Sequence, residues 1–160
     1  PDFTYGFNIY LEYKNFDFTA FFQGVQGVDI ISDLKKETDI WAGLNIGFLN
    51  KGKRLLDAWS VNNPDSNIPA LSLSDNNNEK RVSSYWVENG SYLKLRTIQL
   101  GYNFPQSIAS KLAMQRLRMY VSAQNLFTIK SSSFTGVDPE NPNYGYPIPL
   151  NITFGLNVTF

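Results

Sequence analysis

Four aromatic residues stand in long polar stretches of the sequence, where a ring is available to bind another molecule. They are Trp41, Trp59, Tyr144 and Tyr146. An exposed aromatic ring can stack on a sugar ring or bury itself against another protein. These residues are therefore candidate contacts for a substrate or a partner protein. The alternative is that the rings pack among the polar stretches themselves.

Four cationic residues fall instead in stretches of alternating hydrophobicity. They are Lys94, Arg96, Arg116 and Arg118. In a sheet, such positions place the charges on the polar face or at its rim. The charges would pair either with acidic groups of a further domain or with Glu12 and Asp17 near the start of this chain.

Two carboxylates flank a proline at Asp138-Pro139-Glu140. Carboxylate oxygens are ligands for Ca²⁺. Asp followed by Pro is also the signature of a tight turn with a solvated carboxylate, which is the simpler interpretation. No metal, cofactor or catalytic site is predicted.

Whole classes of chemistry are excluded by composition. The chain has no histidine and no cysteine, which removes histidine acid–base catalysis, cysteine nucleophiles and thiolate metal sites. Fourteen Lys and Arg balance fourteen Asp and Glu, whereas a nucleic-acid-binding domain normally has a basic excess. The chain is therefore predicted to be neither an enzyme nor a nucleic-acid-binding protein.

The 160 residues are poor in charge and rich in aromatic side chains. Charged residues make up 18%, below the roughly 25% usual in soluble domains, and aromatic residues make up 15%. The sequence lacks an apolar run of about 18 residues, so no transmembrane helix is predicted. A membrane β-barrel would escape that criterion because its strands carry only a weak alternating signal.

Alternation of apolar and polar residues predicts five strands. They cover about 3–13, 16–28, 91–103, 116–128 and 151–160. The apolar parity changes within 91–103, from Leu93 and Leu95 to Ile98 and Leu100. Either a β-bulge near Arg96 or a strand that is apolar on both faces explains this change.

The connections between these strands alternate in length. Residues 14–15 and 104–115 form short connections, and residues 29–90 and 130–150 form long ones. Bacterial outer-membrane barrels have this asymmetry, with short periplasmic turns and long extracellular loops. The prediction is an all-β, antiparallel, up-and-down transmembrane barrel segment. Since bacterial barrels use an even strand number, five strands would be part of a larger barrel.

Several segments resemble the SusC/RagA family of TonB-linked outer-membrane transporters of Bacteroidetes. The most specific is SYLKLRTIQLGY at residues 91–102 followed by Pro105, although Lys94 stands where the family more often has Arg. Other similar segments are YKNFD at 13–17, FQG at 22–24, the loop at 59–69, YVSAQNLF at 120–127, GVDPE at 136–140, YPIP at 146–149 and FGLNVTF at 154–160. They follow the family's order over nearly the whole chain.

This resemblance implies the C-terminal part of such a transporter, the last five strands of a 22-stranded barrel. The family imports large nutrients, glycans or peptides, across the outer membrane beneath a SusD-like surface lipoprotein. Energy comes through TonB, which would contact an N-terminal region absent from this chain. The remaining barrel strands and the plug would be further partners, with the lipid bilayer and lipopolysaccharide outside.

Within this picture, particular residues acquire expected roles. The four loop aromatics become contacts for substrate or lipoprotein, the four cations become lumen or rim charges, and Phe160 becomes the terminal aromatic signal for barrel assembly. Two alternatives stay open. One is a SusC-like barrel that serves as a structural component of a larger outer-membrane assembly. The other is a soluble β-sandwich binding module whose core these five strands would close.

Overall fold

The computed structural model describes residues 1–39, 51–72, 78, 81–142 and 145–160. The chain forms two compact units. The sheet unit comprises Pro1–Val28, Gly90–Ser131 and Tyr146–Phe160. The loop unit comprises Asp29–Asn89 and Ser132–Gly145.

The sheet unit is one antiparallel sheet of five strands. Its strands are β1 (Phe3–Tyr13), β2 (Phe16–Gln26), β5 (Tyr92–Asn103), β6 (Arg116–Lys130) and β7 (Asn151–Thr159). They lie side by side in chain order, β1-β2-β5-β6-β7, as an up-and-down meander requires. The predicted fold class, an antiparallel barrel segment, is confirmed. Two bounds differ clearly: β2 ends before Gly27, which has a φ of 66°, and β6 continues to Lys130 because that residue pairs with Tyr92.

A register shift crosses the middle of the sheet. It lies between Leu95 and Thr97 on β5, so Arg96 is an extra residue with respect to β2. On β6, Asn125 and Leu126 stand opposite Arg96. Asn125 has a φ of 56°, a left-handed conformation that Asn tolerates better than most residues. The arrangement is a β-bulge on both strands.

The bulge explains the change of parity within β5. Leu93 and Leu95 lie before it, and Ile98, Leu100 and Tyr102 lie after it. All five pair on β2 and β6 with residues of one face. The bulge therefore keeps the apolar side chains on one face of the sheet, and the alternative of a strand that is apolar on both faces is wrong.

The apolar face of the sheet is largely uncovered. Phe154 is 80% exposed and Leu156 is 62% exposed, and the following apolar-face side chains are also exposed: Phe3, Phe7, Leu11, Tyr13, Phe16, Leu100, Met119 and Ile152. A soluble sandwich would bury this face against a second sheet. The five strands form a single open sheet, so the prediction of a soluble β-sandwich with a closed five-strand core is wrong.

Short connections join strands at one end of the sheet. Lys14 and Asn15 link β1 to β2, with Lys14 at a φ of 54°. The β5–β6 connection holds a short helix, α2 (Gln106–Ala109), and a 3₁₀ turn at Ser110–Leu112. Aromatic rings gather at this end: the Phe16 and Tyr102 ring centroids are 4.7 Å apart, and those of Tyr102 and Phe104 are 5.1 Å apart. Aromatic residues collect in this way where a barrel meets the membrane–water interface.

The two long stretches predicted as loops, 29–90 and 130–150, contain more order than expected. Within the loop unit, β3 (Asp29–Ile31) pairs with β4 (Val87–Asn89), and helix α1 (Asp33–Asp39) follows β3. Two 3₁₀ turns cover Lys53–Asp57 and Ser84–Trp86. Leu55, Trp86 and Phe134 are buried. The elements are too short for a periodic signal, which is why the sequence indicates only loops.

None of the helices in the described part of the chain is long and apolar enough to cross a membrane.

Candidate functional site: the polar face of the sheet and the loop unit

The face of the sheet opposite the apolar one carries small neutral polar groups and a few charges. Thr, Asn, Gln, Ser and Gly dominate it, as at Asn8, Thr19, Gln99, Ser122 and Thr153. The side chains of Thr, Asn, Gln and Ser donate and accept hydrogen bonds without a net charge. This surface, called the polar face below, can therefore bind water or a neutral polar ligand.

An ion pair spans three strands of the polar face. Arg118 on β6 donates from Nε to Oδ2 of Asp17 on β2 at 2.9 Å, and its Nη2 donates to the other carboxylate oxygen. Gly101 on β5 pairs with Asp17 and lies between the two strands. A Cβ on Gly101 would stand 2.4 Å from Nη2 of Arg118 and 2.5 Å from Asp17 Oδ1. The ion pair therefore occupies the space that a side chain at Gly101 would need.

Neighbouring polar groups extend this ion pair. Asn103 donates from Nδ2 to Oδ2 of Asp17 at 3.2 Å, and its Oδ1 accepts from Nη2 of Arg116 at 3.1 Å. Asp17 is thus the acidic partner of Arg118, one of the two alternatives that the sequence left open. Glu12 takes part differently, since it accepts a hydrogen bond from the Tyr10 hydroxyl.

The two remaining predicted cations lie near the bulge. Arg96 donates from Nε to Oε1 of Gln23 at 2.8 Å. Lys94 is only 2% exposed, and its Nζ lies 5.6 Å from the centroid of the Tyr92 ring. The structure thus separates the predicted charges into Arg116 and Arg118 near the short connections and Lys94 and Arg96 near the bulge.

A buried carboxylate joins distant segments of the loop unit. Glu88 on β4 accepts hydrogen bonds from the backbone N–H of Thr135 at 3.0 Å and from its hydroxyl at 2.8 Å. The ammonium of Lys35 on α1 lies 3.7 Å from Oε1 of Glu88 and 4.0 Å from the centroid of the Tyr85 ring. Burial lowers the pKa of Lys35, and the negative charge of Glu88 opposes that shift.

A second buried carboxylate, Asp39, lies at the end of α1 and binds residues of both 3₁₀ turns. Arg54 donates from Nε to the two oxygens of Asp39 at 2.7 and 2.8 Å. The Tyr85 hydroxyl donates to Oδ2 at 2.7 Å. Burial, followed by the Asp39 hydrogen bond, raises the pKa of Tyr85, so the phenol stays protonated at physiological pH. These contacts hold α1 against the two 3₁₀ turns.

Replacing Thr135 by Val tests the role of Glu88. The change keeps the shape of the side chain and removes one hydrogen bond to a buried carboxylate, which costs about 1.5 kcal/mol. We expect faster amide exchange at β3, α1 and β4 in the full-length protein, with unchanged exchange in the five-stranded sheet. Val61→Thr, the reverse substitution at an exposed position, is the control. It should change the amide exchange rates neither of these elements nor of the five-stranded sheet. Equal exchange rates in Thr135→Val and the native protein would contradict this role.

Two of the four predicted aromatic contacts lie within the described residues. Trp59 is in the loop unit and 44% exposed, whereas Tyr146 is in the sheet unit and 96% exposed. Trp41 and Tyr144 lie outside the described residues. Phe160 follows the end of β7 and is exposed.

The segment around Pro139 forms a turn. The backbone N–H of Glu140 donates to Oδ1 of Asp138 at 3.0 Å, and the N–H of Asn141 donates to the Asp138 carbonyl at 3.0 Å. The Asp138 carboxylate therefore serves the backbone of the turn. Within the described ranges, no three acidic side chains gather as a metal site.

Sequence reasoning missed Gly101 and the buried groups of the loop unit. Partners such as Lys35 and Glu88 are far apart in the chain, and no spacing rule joins them. The only available signal at Gly101 was a glycine inside a strand, which often marks a close approach of other groups.

Comparison with known proteins gives consistent results. No protein-family model matches the chain. TonB-dependent receptor P3 of Formosa agariphila is 37% identical over 176 aligned positions, covering 100% of this chain and 16% of that protein. TonB-dependent receptor SusC of Bacteroides thetaiotaomicron is 27% identical, covering 99% of this chain and 15% of that protein. Among solved structures, the RagAB peptide importer in its closed-closed state matches 98% of this chain and 17% of its own, with a TM-score of 0.80 and 29% identity.

The similarity runs through the whole chain, in sequence and in fold, while the chain spans about a sixth of the length of these relatives. The resemblance to a C-terminal part of SusC/RagA transporters is thereby confirmed. Over its whole length the chain is therefore similar to one part of the SusC/RagA TonB-dependent receptors.

Proposed function

We propose that this chain forms part of the barrel wall of a TonB-dependent outer-membrane importer of large nutrients, a glycan or a peptide. The observation that carries the proposal is the single antiparallel sheet with an exposed apolar face and an opposite face of small neutral polar groups. Lipid on one side and a hydrated lumen on the other account for both faces.

The short and the long connections indicate how the sheet would be oriented in the membrane. Short connections with clustered aromatic rings suit the periplasmic end of the sheet, and the long connections suit the extracellular end. Each strand of this multi-pass protein would then cross the outer membrane once. Its apolar face would contact the acyl chains of phospholipid and lipopolysaccharide.

Partners follow from the family. A SusD-like lipoprotein would cover the extracellular side, and TonB would act through a region outside this chain. In this arrangement Trp59 and Tyr146, both exposed, contact substrate or lipoprotein, and Trp41 and Tyr144 belong to the same proposal. The four cations, Lys94, Arg96, Arg116 and Arg118, are lumen or rim charges, and the exposed Phe160 is the assembly signal.

Deletion experiments in the source bacterium test this function. Cells lacking the full-length gene are expected to lose growth on at least one polymer in a panel of glycans and protein digests. Deletion of TonB should cause the same loss while the protein stays in the detergent-extracted outer-membrane fraction. A growth defect in cells that lack the gene, together with normal growth of cells that lack TonB, would favour a structural barrel instead. Recovery of the native protein as a folded soluble monomer would contradict the proposal altogether.

A further inference from the structure

One large apolar side chain lies on the polar face among polar neighbours. Phe21 on β2 follows Asp17 and Thr19 and precedes Gln23 on this face. Its neighbours across the strands are Asn8 on β1 and Thr97 on β5. A hydrated lumen does not favour a phenyl ring at such a position unless the ring covers something or binds something.

The ring borders a pocket above a glycine. The Cε2 atom of Phe21 lies 3.2 Å from the position that a Cβ on Gly6 would take. A pocket of about 280 Å³ lies beside this glycine. Its lining residues are Thr4, Tyr5, Gly6, Phe21 and Gln23. The edge of the Phe21 ring covers the backbone of Gly6. The pocket beside the ring stays open to a ligand.

The lining chemistry is neutral and combines an aromatic ring with hydrogen-bonding groups. Thr4 supplies a hydroxyl and Gln23 supplies an amide. Arg96 donates to Oε1 of Gln23 at 2.8 Å, which orients the amide so that its NH₂ group is the donor left to meet a ligand. A pyranose ring has the complementary chemistry, because its C–H face packs on an aromatic ring while its hydroxyl groups accept and donate at the edge.

We infer that this space, the Gly6–Phe21 pocket, is a subsite for one neutral pyranose ring of a glycan moving along the polar face. The inference rests on the proposed function, since that function places the polar face in the lumen. It selects a glycan over a peptide as the cargo class. None of the five lining residues itself carries a charge, so the lining offers an uncharged ligand an aromatic ring and hydrogen-bonding groups.

The test compares two adjacent phenylalanines in the full-length protein, purified in detergent. Phe21→Leu keeps an apolar side chain and removes the ring from the pocket. Phe22→Leu makes the same change on the opposite face, where the Phe22 ring stacks on that of Phe7 with their centroids 4.7 Å apart. Calorimetry with four neutral hexasaccharides, maltohexaose, cellohexaose, laminarihexaose and mannohexaose, measures binding. Phe21→Leu is expected to weaken the binding of at least one of them about tenfold, and Phe22→Leu to leave it unchanged.

Two further variants separate a folding defect from a lost contact. Phe21→Trp retains a flat ring and should restore binding, whereas Gly6→Ala narrows the pocket and should weaken it. Equal binding by Phe21→Leu and Phe22→Leu would overturn the subsite, as would no binding of any hexasaccharide by the native protein. In either case, TonB-dependent growth on peptides would leave the proposed import function standing. Loss of outer-membrane location would instead refute that function.

Discussion

Leu156→Arg is expected to prevent assembly of the full-length protein in the outer membrane. Leu156 lies in the middle of β7 on the apolar face and is 62% exposed. An arginine on the lipid face near the bilayer midplane costs a barrel about 2–4 kcal/mol. Its cross-strand neighbour on β6 is the apolar Met119, which cannot offset the charge. The measurement is the folding free energy in lipid vesicles, together with the protein level in isolated outer membranes.

Thr153→Arg is the matched control, three residues earlier on the same strand. Thr153 pairs with the neutral Ser122 and belongs to the polar face. Under the proposed function this face meets the lumen, where an added guanidinium remains hydrated. It should change the folding free energy by less than 1 kcal/mol, about the scale of surface substitutions. If Leu156→Arg folds and accumulates as well as Thr153→Arg, the apolar face is not in contact with lipid.

The five strands of the sheet can be predicted from the sequence because each is long and alternates over most of its length. In β1 the period of two is uninterrupted from Phe3 to Tyr13, and the strand has these same ends in the structure. In β5 the change of parity signals the bulge. The bulge on β6 has no such signal in the sequence, because Asn125 does not change the parity of its strand. Only its φ of 56° in the structure identifies it.

The loop unit could not be predicted in the same way. Its paired strands, β3 and β4, have three residues each, too few for a period to emerge. Its cohesion comes from contacts over long sequence separations, such as those of Glu88 with Lys35 and Thr135. Which segments form buried ion pairs depends on which segments the fold brings together. The composition therefore indicates that this region is polar but does not indicate which residues pair.

Part of the polar face was foreseeable. Arg118 and Asp17 could be named as possible partners because both fall on polar positions of alternating strands. They are 101 residues apart and separated by β5, so the choice between Asp17 and an acidic group elsewhere needs the strand order. The same strand order places Gly101 beneath the pair, a role that no local pattern indicates.

Gly101→Ala should therefore break a contact that spans β2, β5 and β6. The new Cβ would stand 2.4 Å from Nη2 of Arg118 and 2.5 Å from Asp17 Oδ1, well inside the usual contact distance. Both side chains must move apart, and two poorly exposed charges lose their partner. Breaking such pairs typically costs several kcal/mol, and we expect about 2–4 kcal/mol here. Heat-modifiability on gels and urea unfolding of the full-length protein in detergent would report the loss.

Gly52→Ala is the control for the change of residue type, because the nearest atoms to its added Cβ are 3.6 Å away. It should leave the stability of the sheet unchanged. A double-mutant cycle then isolates the cause. In an Asp17→Ala background the carboxylate is already absent and Arg118 is free to move aside, so adding Gly101→Ala should cost much less than it does in the native protein. Equal costs in the two backgrounds would mean that Gly101 is needed for backbone packing alone. A reduced cost would mean that this glycine is present because the ion pair needs its space.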